Sequence, residues 1–193
     1  MPRTPLYDIK IALEAIVARL DESATPYAII GGFAVSQWAR PRTTKDLDLI
    51  AALPIALLET ALGEARGFGL VPAFPEAVDF ARQQRILQIL HRKTRIPIDM
   101  ILASSPFEMR VIKSGAVRES RTYRYRVVSP EYLLAMKIIS GRPQDILDCH
   151  CILEFQSSIN WRIVEDEVQN WGVVMENPKC GEILDHIKRS WER

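Results

Sequence analysis

Residues 46–51, DLDLIA, alternate acid and leucine before running into an apolar stretch. Side chains two apart on a β-strand share a face, so Asp46 and Asp48 project together while Leu47 and Leu49 turn the other way. The segment therefore specifies a strand with one buried face and one face that carries two carboxylates. Adjacent carboxylates repel each other unless they are solvated, one is protonated, or a cation lies between them. A solvated strand edge and a divalent-metal clamp are the two readings.

The flanking sequence builds outward from that strand. Residues 6–22 carry Leu6, Ile9, Leu13, Ile16, Val17 and Leu20 at helical spacing. Tyr27–Ile30 is a β-type run entering Gly31-Gly32, and 33–39 reads as a helix stopped by Pro41. Leu47–Ala51 is a second strand, and 54–66 a helix ending before Gly67. The stretch RILQILHRKTRIPIDMIL predicts a hairpin turning at residues 92–95, which sets Asp99 inside a strand. Residues 122–128 alternate Tyr and Arg, as expected of a strand with one solvated face.

The remainder is helical. Ser129 and Pro130 suit the N-cap and first residue of a helix over 131–140, with Gly141 as its C-terminal cap. Pro143 opens a helix over 145–155, and two more follow over 161–171 and 178–191. The expected architecture is α+β: a small mixed sheet flanked by helices over residues 1–128, then a C-terminal helical region, 129–193, packed on it.

Composition narrows the setting. A chain of 193 residues, 48% hydrophobic and 25% charged, can bury a sizeable core. Cys149, Cys151 and Cys180 are odd in number and form no CxxC pair, which argues against a disulfide framework or zinc ribbon and for a reducing, cytoplasmic setting. On a helix, Cys149 and Cys151 lie roughly 200° apart and cannot converge with His150 on one zinc. Asp8, Lys10 and Glu14 interrupt the first twenty residues, and nowhere do 18 apolar residues run together; both facts argue against export and membrane insertion. Residues 61–130 hold 12 Lys or Arg against 6 Asp or Glu. That surplus suits a phosphate or nucleic-acid partner, and equally a set of Arg-rich solvated strands.

Asp99 adds a third strand-borne carboxylate if its strand lies beside the first. Three oxygen-only ligands in open geometry suit Mg2+ or Mn2+, which share their coordination with substrate phosphates. Gly31-Gly32, between a strand and a helix, is either an ordinary turn or a cradle that aims backbone N–H groups at an anion. Arg42 and Lys45 stand beside the acids as phosphate partners or as exposed loop cations. Lys137 lies on an otherwise apolar helix, snorkelling to water or facing a phosphate. Asp145 and Asp148 share a helix face, with Asp145 placed to cap the helix.

The order of these pieces carries more than any one of them. GGFAVSQWARPRTTKDLDLI, with the later IDMI, resembles the nucleotidyltransferase superfamily with its DNA polymerase beta-like fold, whose core carries a GS or GG motif, a DxD and a third Asp on a neighbouring strand. The RxTxDLDL form, followed by a Lys-bearing helix and a helix with a spaced Asp pair, looks most like the AbiEii-type nucleotidyltransferases of type IV toxin-antitoxin systems. The resemblance covers most of residues 26–150. It implies transfer of a nucleoside monophosphate from an NTP to an acceptor hydroxyl, with release of pyrophosphate. Asp46 and Asp48 would hold both metals of a two-metal catalytic site, and Asp99 would be the third ligand and the general base. Gly31, Gly32, Arg42, Lys45 and Lys137 would face the nucleotide, with Asp145 in support. Gly32 stands where the commoner motif has serine. The implied partners are an NTP, Mg2+ or Mn2+, an RNA or tRNA end or a protein side chain as acceptor, and a cognate antitoxin. An antibiotic nucleotidyltransferase acting on an aminoglycoside or lincosamide, and a silent nucleotide-binding module, are the alternatives.

Overall fold

The computed structural model describes residues 5–40, 44–174 and 179–191. Its elements run α1 (Pro5–Glu22), β1 (Tyr27–Ile30), α2 (Gly31–Trp38), β2 (Leu47–Ala51), α3 (Leu58–Ala65), β3 (Leu70–Pro72), α4 (Ala77–Gln84), β4 (Ile86–His91), β5 (Pro97–Leu102), α5 (Pro106–Lys113), β6 (Ala116–Glu119), β7 (Arg124–Val127), α6 (Pro130–Ser140), α7 (Pro143–Phe155), α8 (Trp161–Val174) and α9 (Lys179–Trp191). By contacts the chain divides into two units, Met1–Phe33 with Arg42–Val127 and Ala34–Pro41 with Val128–Arg193.

The first unit holds one mixed sheet in the order β3-β4-β5-β2-β1-β7-β6. β2 is antiparallel to β1 and parallel to β5, and β4 closes on β5 as an antiparallel hairpin. Side chains of period two divide this sheet into unequal faces. Leu47, Leu49, Ile98, Met100, Leu102, Leu87 and Ile89 share one face and are all buried. Against them lies the apolar stripe of α1, and Ile16, Leu20, Leu62, Leu87, Ile89 and Met100 meet around one cavity of about 20 Å³. Each such side chain contributes roughly 1.5–3 kcal/mol when fully removed from water. The opposite face of β2, β5 and β4 carries the half-buried Asp48, Asp99, Ile101, Ile86, Gln88 and Leu90 together with the buried Ile50.

Four elements of this unit have no counterpart in the sequence reading: β3, α4, α5 and β6. β3 is three residues long and ends at Pro72 on the sheet edge, too short for a periodic signal. α4 buries only Ala77 and Ala81 and is turned out of its helix by Arg85 at φ 62°. α5 does have a legible start: Ser105 and Glu108 form a reciprocal capping box around Pro106. α2 starts at Gly31, two residues before the expected Phe33, so the glycine pair forms the helix's first residues rather than a separate turn.

In the second unit, Ser129 occupies the N-cap of α6, and Gly141 at φ 62° ends it by donating its N–H to the Lys137 carbonyl at 3.0 Å. α6 packs on α7 and α8, and α8 on α9. Ile138, Ile152, Val164, Val168, Leu184 and Ile187 form the buried seam. Among the described residues no helix is long and apolar enough to cross a membrane.

Candidate active site

Register brings the acids together. Asp48 on β2 is the direct partner of Asp99 on β5, and Gln88 on β4 is the partner of Asp99 on its other side. The three side chains form a row on the less covered sheet face, with neighbouring strands about 4.8 Å apart. Like charges placed directly opposite are unfavourable in a sheet. At that separation and an effective dielectric near 20 the repulsion is roughly 3 kcal/mol. Asp46 immediately precedes β2 and is exposed. The buried Thr44 hydroxyl donates to its Oδ1 at 2.9 Å and lies 3.2 Å from its backbone carbonyl oxygen.

The glycine pair meets this row at the end of β1. Ile30, the last residue of β1, is the register partner of Asp48, and Gly31 follows it with φ 63°. A Cβ placed at position 31 would fall 1.9 Å from Asp48 Oδ2 and 2.8 Å from its Cβ. Both the left-handed backbone and the missing side chain are therefore required where α2 begins. Gly32 is buried in the first turn. A helix N-terminus beside a carboxylate pair places partial positive charge and N–H donors next to a site that is otherwise negative. Phe33, the next residue, stacks at a tilt on Tyr125, with ring centroids 6.1 Å apart.

Hard divalent cations fit this donor set. They favour oxygen ligands and are commonly held by one or two carboxylates together with substrate phosphates. Asp48 and Asp99 supply such a pair. Among the described residues no three His, Cys, Asp or Glu side chains converge into a ready-made metal cage.

The remaining candidates divide between the two units. Lys45 is exposed, one residue before Asp46. Arg42 lies outside the described residues. Lys137, in the second unit, is 8% exposed, so it does not snorkel to water. Its Nζ donates to Asp145 Oδ1 at 2.6 Å and pairs with Asp148 Oδ2 at 2.9 Å, while Arg142 Nε reaches Asp145 Oδ2 at 2.7 Å. Asp145 and Asp148 are 2% and 1% exposed, and their charges are balanced within this cluster. Burial pushes the Asp145 pKa up, but hydrogen bonds from Lys137, Ser140 and Arg142 outweigh it and hold the carboxyl below its ordinary value. Asp145 is therefore an ion-pair partner and not the expected helix cap; Arg142 occupies the N-cap of α7, which has no side-chain cap bond. Cys149 is buried, its thiol pushed up to about 12 by burial, whereas Cys151 is exposed.

Two further residues belong to the site, one inside the RxTxD motif and one outside any motif. Thr44 falls on the third position of RxTxD, two before Asp46. Gln88 donates from Nε2 to Asp99 Oδ1 at 3.1 Å, a contact visible only once the β4–β5 register is known.

Three solved structures are similar to the chain, and the first of them, with a TM-score above 0.5, supports the fold. The structure of JHP933 from Helicobacter pylori aligns with a TM-score of 0.52 at 14% identity, covering 100% of this chain and 95% of that one. An antigenic nucleotidyltransferase-like protein from Paracoccidioides brasiliensis aligns at 0.47 and 14% identity, over 92% and 91% of the two chains. ANT(2")-Ia in complex with adenylyl-2"-tobramycin aligns at 0.44 and 14% identity, over 95% and 99%. No curated protein matches the chain. The model of the nucleotidyl transferase AbiEii toxin of type IV toxin-antitoxin systems matches residues 12–175, nearly the whole described sheet and helical region, and the chain therefore belongs to this nucleotidyltransferase family.

Proposed function

We propose that the chain transfers a nucleoside monophosphate from an NTP to an acceptor hydroxyl, on an RNA or tRNA end or a protein side chain, at a site built on Asp46, Asp48 and Asp99, and that it acts as the toxin of a toxin-antitoxin pair. The observation that carries the site is the register of Asp48 against Asp99, with Gly31 packed on Asp48. Asp46, Asp48 and Asp99 would hold Mg2+ or Mn2+, which would supply charge neutralisation at the triphosphate and acidify the acceptor hydroxyl.

The chain's own groups do the rest. Backbone N–H groups at Gly31 and Gly32 and the N-terminus of α2 hold the triphosphate. Lys45, one residue before Asp46, and Arg42, four before it, balance the triphosphate charge. Lys137, in the second unit, is the further phosphate-binding candidate and is steadied by Asp145. Asp99 takes the acceptor proton, the acceptor oxygen forms a bond to the α-phosphorus, and the bond from that phosphorus to the bridging oxygen breaks to release pyrophosphate.

The test is label transfer. The protein is incubated with each α-labelled NTP, Mg2+ and total RNA, and wild type is compared with Asp48→Ala and Asp99→Ala. Both substitutions are expected to lower transfer by about 100-fold or more. Transfer that survives both would overturn the site. Parallel reactions with total protein and with an aminoglycoside as acceptors define the acceptor class.

A further inference from the structure

We propose that Gln88 is a positioning residue that sets the orientation of the Asp99 carboxylate for cation binding; this rests on the reading of Asp99 as a cation ligand. Gln88 and Asp99 are direct partners on adjacent antiparallel strands, and both side chains lie on the half-covered face. The Gln88 Nε2 donor is 3.1 Å from Asp99 Oδ1. Left alone, a carboxylate on a strand rotates about a soft terminal torsion. The Gln88 amide removes that freedom by tying down Oδ1, and it leaves Oδ2 as the oxygen directed to a cation shared with Asp48.

A neutral donor suits this place. A lysine or arginine at position 88 would compete with the cation for Asp99, and an acid would add a third negative charge to the row. An amide of this length spans the gap between strands without either cost. The wider pattern agrees, since Asp46 is held in the same way by the neutral hydroxyl of Thr44. Partners behind a ligand commonly change metal affinity by about 10- to 100-fold when removed.

The test uses Mn2+ alone, with free Mn2+ read by electron paramagnetic resonance, on the full chain without nucleotide. Gln88→Met keeps the length and removes the donor, and Gln88→Thr, a good strand former, guards against a folding defect in the first variant. Both are expected to weaken Mn2+ binding about 10-fold with an unchanged melting temperature. In label transfer both are expected to raise the Mg2+ concentration for half-maximal rate about 10-fold, with activity recovered at high Mg2+. A purely structural side chain would lower activity at every Mg2+ concentration instead. Wild-type Mn2+ affinity in both variants, with binding lost in Asp99→Ala, overturns the role of Gln88 alone. Wild-type Mn2+ affinity in Asp99→Ala overturns the reading of Asp99 and the role of Gln88 together.

Discussion

Replacing Gly31 with alanine attacks the site through the fold. The new Cβ has two separable costs. Holding alanine at φ 63° costs roughly 1–2 kcal/mol relative to glycine. Its Cβ would also stand 1.9 Å from Asp48 Oδ2, 2.6 Å from Cγ and 2.8 Å from Cβ. All three atoms belong to one side chain anchored mid-strand, so either Asp48 leaves its rotamer or the β1–α2 junction shifts. Overpacking of this kind costs about 1–3 kcal/mol, giving about 2–5 kcal/mol in total. A double-mutant cycle separates the two. In an Asp48→Gly background every clashing atom is gone, and Gly31→Ala should cost only the backbone share of roughly 1–2 kcal/mol. Urea unfolding followed by tryptophan fluorescence measures each corner, and a coupling of about 1–3 kcal/mol is expected. Equal costs in both backgrounds would refute the claim that Gly31 is glycine because Asp48 stands against it.

Further expectations follow from the second unit. Lys137→Met removes the buried ammonium shared by Asp145 and Asp148, leaving Arg142 beside Asp145 and Gln144 beside Asp148, and should destabilise by about 3–5 kcal/mol, read from the urea midpoint. Because the Asp145 pKa lies below its unfolded value, its stabilisation is fully present above the ordinary carboxylate range near pH ~4 and is lost as pH falls through the lowered folded value. A pH series of melting temperatures should show that acid-side loss in wild type and a smaller one in Asp145→Asn. Titration with a disulfide reagent should label Cys151 rapidly in the folded protein, and Cys149 and Cys180 only on unfolding, since those two are buried.

Local pattern made much of the site readable before any coordinates. The alternation in DLDLIA put Asp46 and Asp48 on one face, and the hairpin at 86–102 put Asp99 in a strand; the structure bears out both strands. The pairing of β2 with β5 was not readable. It is parallel and non-local, with α3, β3, α4 and β4 between its partners, and no turn geometry sets its register. Without that register the Asp48–Asp99 pair does not follow, while the Gln88 contact depends on the β4–β5 register instead. Lys137 shows the complementary difficulty. Its apolar helix left a lysine that snorkels to water or faces a phosphate, but its carboxylate partners sit on the following helix, and i, i+3 spacing on α7 alone does not reveal what Asp145 and Asp148 face.

Gly31 marks the boundary between these cases. A glycine after a short strand is common, and pattern alone allows a turn. Its need for a positive φ and for empty space beside Asp48 appears only when β1, α2 and β2 are assembled.

Diffraction from crystals of the protein grown with Mn2+ and a non-hydrolysable NTP analogue is the decisive measurement. An anomalous peak about 2.0–2.2 Å from carboxylate oxygens of Asp48 and Asp99, with the triphosphate on the backbone of Gly31 and Gly32, is the expected result. A cation or triphosphate bound away from this row, with Asp48 and Asp99 untouched, would contradict it.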